Sequence, residues 1–246
     1  MKNIRIRVQY DGTRYKGWQR QVTTPLTIQG KIEKVLSVMQ DEEVTIDGAG
    51  RTDAGVHAMA QVANFALETE KTADEIGEYL NQYLPEDIRI TQVEEAGARF
   101  HSRLNATGKT YRYECLRAGH YDVFRRDYAM TLTRTVSLKK MREAAEYFLG
   151  THDFAGFCTH ASKKKSTVRT IESIRIEEHD GRIVMDFHGN GFLYNMVRII
   201  VGTLLEVGYG DRTPESMKEL LQSKERKAAG ETAPAKGLTL LQVNYD

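Results

Sequence analysis

Residues 168–188 read Val168-Arg169-Thr170-Ile171-Glu172-Ser173-Ile174-Arg175-Ile176-Glu177-Glu178-His179-Asp180-Gly181-Arg182-Ile183-Val184-Met185-Asp186-Phe187-His188. Apolar side chains recur on both sides of Asp180-Gly181, a turn dipeptide, so the stretch predicts two strands, Val168–Glu177 and Arg182–His188, joined by that turn. Working outward, Thr110–Leu116 alternates as a strand with Tyr111, Tyr113 and Cys115 on one face. Ser137 caps a helix whose buried stripe is Leu138, Met141, Ala145, Phe148 and Leu149, and Gly150 stops it. After the hairpin, Gly191–Val207 reads as a helix apolar nearly all round and therefore deeply buried. Thr213-Pro214-Glu215 starts a short helix, and Leu238–Asn244 is the last strand.

The first part of the chain has the same order. Ile4, Ile6, Val8 and Tyr10 form a strand ending at Asp11-Gly12, and Ile28, Ile32, Val35, Leu36 and Met39 recur at helical spacing. Strands at Val44–Ile46 and Val56–Leu67 follow, then a helix capped by Thr72 or Asp74 that Pro85 closes, then a strand at Asp87–Val93. Two βαββαβ runs in tandem predict an α+β protein of two ferredoxin-like halves, 1–104 and 105–246, with a central cleft at their junction.

A chain of 246 residues, 40% hydrophobic and 28% charged, can bury a core and is not a disordered segment. Cys115 and Cys158 are too few for a disulfide framework or a thiolate metal site. The N-terminal residues carry no apolar signal region, and the greasiest stretch, Phe192–Leu205, is interrupted by Asn195 and Arg198. A cytoplasmic protein that does not enter the membrane is expected. The net charge of +1 hides a step: residues 61–98 hold two basic and nine acidic side chains, residues 99–140 ten basic and three acidic. Such a step suggests one acidic and one basic face, or simply two solvated ones. Three long connections, 11–26, 150–167 and 222–237, are candidates for function. Two of them have basic tips, at Lys163-Lys164-Lys165 and Lys224-Glu225-Arg226-Lys227.

The most unusual segment is Gly48-Ala49-Gly50-Arg51-Thr52-Asp53-Ala54-Gly55-Val56-His57-Ala58. Its three glycines allow tight turning and close approach, yet no Lys-Ser/Thr follows them as in a phosphate cradle. It presents one carboxylate, Asp53, beside Arg51. His57 and His101 have no Cys or Glu at ligand spacing, and the pair His152-Asp153 is too small for a metal site. Arg198 lies in an otherwise apolar helix and demands a partner, which could be a structural acid such as Asp186 or Glu206.

The segment Gly50–Ala58 resembles the signature of the tRNA pseudouridine synthase A family, and the likeness extends over nearly the whole chain. Tyr10-Asp11-Gly12-Thr13 with Gly17-Trp18-Gln19, Phe100-His101-Ser102-Arg103, Lys109-Thr110-Tyr111-Arg112-Tyr113, Gly191–Arg198 and Ala233–Leu238 resemble its other motifs in the same order. The resemblance implies a pseudouridine synthase fold with the sheets of both halves joined and mostly antiparallel. It implies conversion of uridine to pseudouridine at positions 38, 39 and 40 of the tRNA anticodon arm, by a homodimer that needs neither cofactor nor metal. It gives Asp53 the role of nucleophile, Arg198 that of its ionic partner, Arg51 that of the base-flipping arginine, and Tyr111 that of the ring stacked on the target base. Physics agrees with each role. A cation keeps a partly dry carboxylate ionised, aromatic rings hold single-stranded bases, and a base taken out of its stack needs replacement contacts.

Two other classes share part of this pattern. A non-catalytic RNA-binding protein explains the basic stretch 99–140 but leaves the Asp53 turn and Arg198 without a purpose. A carboxylate-dependent nucleoside hydrolase explains Asp53 and Tyr111 but not the long basic-tipped loops.

Overall fold

The computed structural model describes residues 1–159 and 166–246; Lys163-Lys164-Lys165 lies outside the described residues. In chain order the elements are β1 (Lys2–Tyr10), α1 (Ile28–Gln40), β2 (Asp47–Gly48), β3 (His57–Leu67), α2 (Ala73–Tyr83) and β4 (Ile88–Ala96). There follow β5 (Ala106–Leu116), β6 (Met130–Thr131), α3 (Leu138–Glu146), β7 (Gly150–Asp153), β8 (Val168–His179), β9 (Arg182–Gly189), α4 (Met196–Tyr209), α5 (Ser216–Ser223) and β10 (Leu238–Tyr245). Contacts group the chain into two units, residues 1–107 with 239–246, and residues 108–238. The sequence order alone closes the second half with β10, which instead clusters with the first unit, pairing Thr239 and Leu240 parallel to His57 and Ala58.

In the first unit β1 lies between β3 and β4, antiparallel to both, with Ile4 opposite Phe65 and Ile6 opposite Ala63. That register puts Ile4, Ile6, Val8, Ala63 and Phe65 on one buried face, where Ile28, Ile32 and Leu36 of α1 and Ile76 and Leu80 of α2 complete the core. Asn3, Arg5, Arg7 and Asn64 point to the other face. Thr72 and Glu75 form a reciprocal capping box at the start of α2.

In the second unit β9 pairs antiparallel with both β5 and β8, and β8 with β7. The expected hairpin forms, and Asp180 (φ 49°) and Gly181 (φ 71°) supply its positive-φ turn. Met141, Ala144, Ala145, Phe148, Met185, Phe187, Ile199, Ile200 and Leu204 are buried in its core. The architecture is α+β with mostly antiparallel pairing.

Three local expectations differ. Val44–Ile46 is no strand, because its amides find side chains: Val44 N donates to Ser37 Oγ at 2.9 Å and Ile46 N to Glu33 Oε1 at 3.1 Å. The strand pairing falls instead to Asp47–Gly48. The helix expected from Gly191 begins at Met196, because Asn195 before it is left-handed (φ 62°). The helix from Ser137 ends at Glu146, and Gly150 opens β7.

Candidate active site

The turn that carries Asp53 is fixed by backbone contacts. Ala49 N donates to Val62 O at 2.7 Å, Trp18 N to Thr52 O at 3.0 Å, Gly55 N to Tyr15 O at 3.3 Å, and Val56 N to Asp53 O at 3.1 Å. Segment 12–18 comes this close because two of its residues have no side chain. A Cβ at Gly12 would lie 2.0 Å from the Val56 carbonyl oxygen, and one at Gly17 (φ +95°) 2.7 Å from the Thr52 oxygen.

Beneath the turn, Trp18 and Tyr10 are buried with ring centroids 6.1 Å apart. The Tyr10 hydroxyl meets Thr52 Oγ1 at 2.7 Å, and Gln61 Nε2 donates to Gly50 O at 2.9 Å. Burial pushes the Tyr10 hydroxyl well above the ordinary phenol pKa, so it stays protonated and uncharged. His57 is buried; its Nδ1 accepts from Gly12 N at 3.0 Å and lies 3.1 Å from Asp11 Oδ1. Thr52 is buried between an exposed Arg51 and a partly buried Asp53, so the turn carries the arginine and the acid side by side. Among the described residues Arg51 pairs with no acid.

The second unit holds the other two expected residues. Tyr111 sits on β5, 8% exposed, opposite Phe187 of β9 and edge-on to the Phe192 ring at 5.4 Å. The next side chain on that face, Tyr113, is fully buried and donates its hydroxyl to Pro234 O at 2.8 Å, a packing role. Arg198, half-buried in the first turn of α4, donates Nε to Ala233 O at 2.7 Å and Nη1 to Asn195 Oδ1 at 2.8 Å. The structural acids considered for it are engaged by others: Asp186 takes a two-pronged contact from Arg112, and Glu206 pairs with Arg212. Asp53 and Arg51 thus share one turn of the first unit, and Tyr111 and Arg198 both belong to the second.

The supporting residues Tyr10, Gln61, Asn195 and Ala233 were given no individual role by the sequence. Their signal was faint: a tyrosine at a strand end, and an asparagine where an apolar helix starts. The basic stretch 99–140 is also narrower in space than along the chain. Arg112, Arg117, Arg125, Arg126 and Arg134 all pair with acids. The tip at 224–227 is likewise engaged, Lys224 with Asp153 at 2.8 Å and Arg226 with the carbonyls of Ala229 and Gly230. Among the described residues no three His, Cys, Asp or Glu side chains converge as a metal site, and no described helix is long and apolar enough to cross a membrane.

The model of the tRNA pseudouridine synthase family matches residues 6–105 and 144–246. The chain is 46% identical over 245 residues to tRNA pseudouridine synthase A 2 of Bacillus cereus (strain ZK / E33L), covering 100% of both chains. It is 48% identical to tRNA pseudouridine synthase A of Bacillus sp. (strain KSM-64), and 42% identical to that of Acetivibrio thermocellus, each over 245 residues and 100% of both chains. The family match and these relatives define an isomerase acting on uridine in tRNA. The chain belongs to the tRNA pseudouridine synthase family.

Proposed function

We propose that this protein isomerises uridine to pseudouridine at positions 38, 39 and 40 of the tRNA anticodon arm, as a cytoplasmic homodimer without cofactor or metal. The N1–C1′ bond of the uridine breaks, the base turns, C5 bonds to C1′, N1 takes up a proton and C5 gives one up. Nothing is oxidised or reduced and no group is donated. Asp53 is the nucleophile, and the place of this partly buried acid on a rigid turn is the observation that carries the reading. Arg198 pairs with it and keeps it ionised while the site is partly dry. Tyr111, already gripped edge-on by Phe192, offers its ring to the displaced base. Arg51, exposed two residues from the carboxylate, fills the space the uridine vacates and offsets a flipping cost of a few kcal/mol.

The test is incubation with an unmodified tRNA transcript followed by position-resolved mapping of pseudouridine. Conversion confined to 38, 39 and 40 is expected, and it should persist in EDTA once RNA folding is controlled for. Conversion elsewhere in the tRNA, or none, contradicts the proposal.

A further inference from the structure

The pairing of basic residues in the stretch 99–140 leaves a remainder. Five arginines there meet acids, whereas Arg99 and Arg103 are exposed and pair with no acid among the described residues. Both lie on the loop 97–105, which joins β4 to β5 in the first unit, the unit that also carries Asp53.

This loop is not a solvated tip. Ser102 at its centre is fully buried; its N–H donates to Asn64 Oδ1 at 2.8 Å and its carbonyl accepts the Tyr245 hydroxyl at 2.6 Å. Asn3 Nδ2 donates to the carbonyls of Gly97 and Phe100, both at 2.9 Å, and Asn105 Oδ1 accepts from His101 N at 2.8 Å. Arg5 spans the rings of Phe100 and Tyr245, at 5.2 and 4.6 Å from their centroids, and is itself paired with Glu94. These contacts hold the backbone, with Ser102 buried at its centre, and leave the Arg99 and Arg103 side chains exposed. An open cavity of about 540 Å³ lies alongside, lined by Arg5, Arg99, Phe100, Asn105, Tyr245 and the acidic Asp246. The loop is also tied to the catalytic turn: Ser102 Oγ donates to the carbonyl of Asp47 on β2, the strand that runs into the Asp53 segment.

We infer that Arg99 and Arg103 form a phosphate-contact site for the backbone of the substrate RNA, resting on the proposed function. Exposed guanidiniums on an ordered loop match phosphate oxygens two-pronged and read no bases. Their ordering cost is met by the Ser102, Asn3 and Tyr245 contacts before the RNA arrives. The site positions the RNA relative to Asp53 and takes no part in the chemistry.

The experiment compares wild type, the double variant R99S/R103S and, as a control, R134S, which removes an exposed arginine already paired with Asp211. Each is assayed on the same tRNA transcript across a salt series, with thermal melting run alongside. For R99S/R103S, KM for tRNA is expected to rise about tenfold, kcat and melting temperature to hold, and the slope of log affinity against log salt to flatten by about 1.5–2 units. R134S should leave the slope unchanged. Unchanged KM and slope in R99S/R103S overturn the site, as does a fall in kcat with KM unchanged. If wild type makes no pseudouridine, the proposed function itself fails; if wild type turns over and R99S/R103S is indistinguishable from it, only the phosphate site fails.

Discussion

The turn that bears Asp53 and the segment that bears Arg198 are held in opposite ways. Around Asp53 the fastenings are uncharged: backbone hydrogen bonds from Trp18 and Gly55, glycines at 12 and 17 that let two segments of the chain touch, and the buried Tyr10–Thr52 contact. Around Arg198 they are cationic. Arg198 grips the carbonyl of Ala233, Arg226 those of Ala229 and Gly230, Arg212 the carboxylate of Glu206, and Lys224 that of Asp153. Uncharged fastenings fix the turn while leaving the Asp53 carboxylate to the role proposed for it, with the Arg51 cation on the same turn. Arg198, the partner proposed for Asp53, is gripped by uncharged acceptors, the Ala233 carbonyl and Asn195 Oδ1.

Ranked by folding free energy, the largest effect should come from the uncharged frame. Gly17→Ala must relieve both a positive φ and a contact with the Thr52 carbonyl. A loss of about 2–4 kcal/mol in urea denaturation is expected, with activity gone; wild-type stability would mean that the turn is not seated on segment 12–18. Arg198→Met removes two hydrogen bonds from a charged donor and should cost about 2 kcal/mol. Pseudouridine formation should collapse with it, and near-normal turnover would show that Arg198 serves another group. Tyr10→Phe strands the buried Thr52 hydroxyl at about 1 kcal/mol and should lower kcat several-fold with KM unchanged.

The cationic fastenings should respond to pH where the uncharged ones do not. Asp153 is held below the usual carboxylate range, first by the hydrogen bond from Lys224 and then by that from Thr167. A depressed carboxylate contributes stability above its unfolded pKa of about 3.9 and loses it as pH falls through the lower folded value. Lys224 is largely exposed, so Lys224→Met should cost less than about 1 kcal/mol at neutral pH, and the difference from wild type should vanish in acid. A difference that persisted in acid would mean that Lys224 acts by packing.

Much of the fold was legible because its elements bury one face with a clear period. Ile4, Ile6 and Val8 announce β1, Ile28, Ile32 and Leu36 announce α1, and Asp180-Gly181 marks the hairpin. Val44 and Ile46 misled because they are buried, as strand residues would be, while their amides are satisfied by Ser37 and Glu33. Burial pattern reports on side chains and is silent on where an N–H goes. The start of α4 was hidden for the same reason: Phe192 and Leu193 extend the apolar run, but Asn195 takes a left-handed conformation. Asp53 stood out through its glycines. The contribution of Tyr10 and Gln61 to its turn depends on contacts between residues far apart in the chain, which no local pattern displays.

The smallest effect on stability should accompany the largest on function. Asp53→Asn keeps the volume and most hydrogen bonding of a partly buried side chain and should cost less than about 1 kcal/mol. Measured together on one preparation, its melting temperature and tRNA affinity should stay near wild type, the affinity within a few-fold, while no pseudouridine forms at any position of the transcript. Wild-type turnover by a well-folded Asp53→Asn protein would contradict the assignment of Asp53 as the nucleophile.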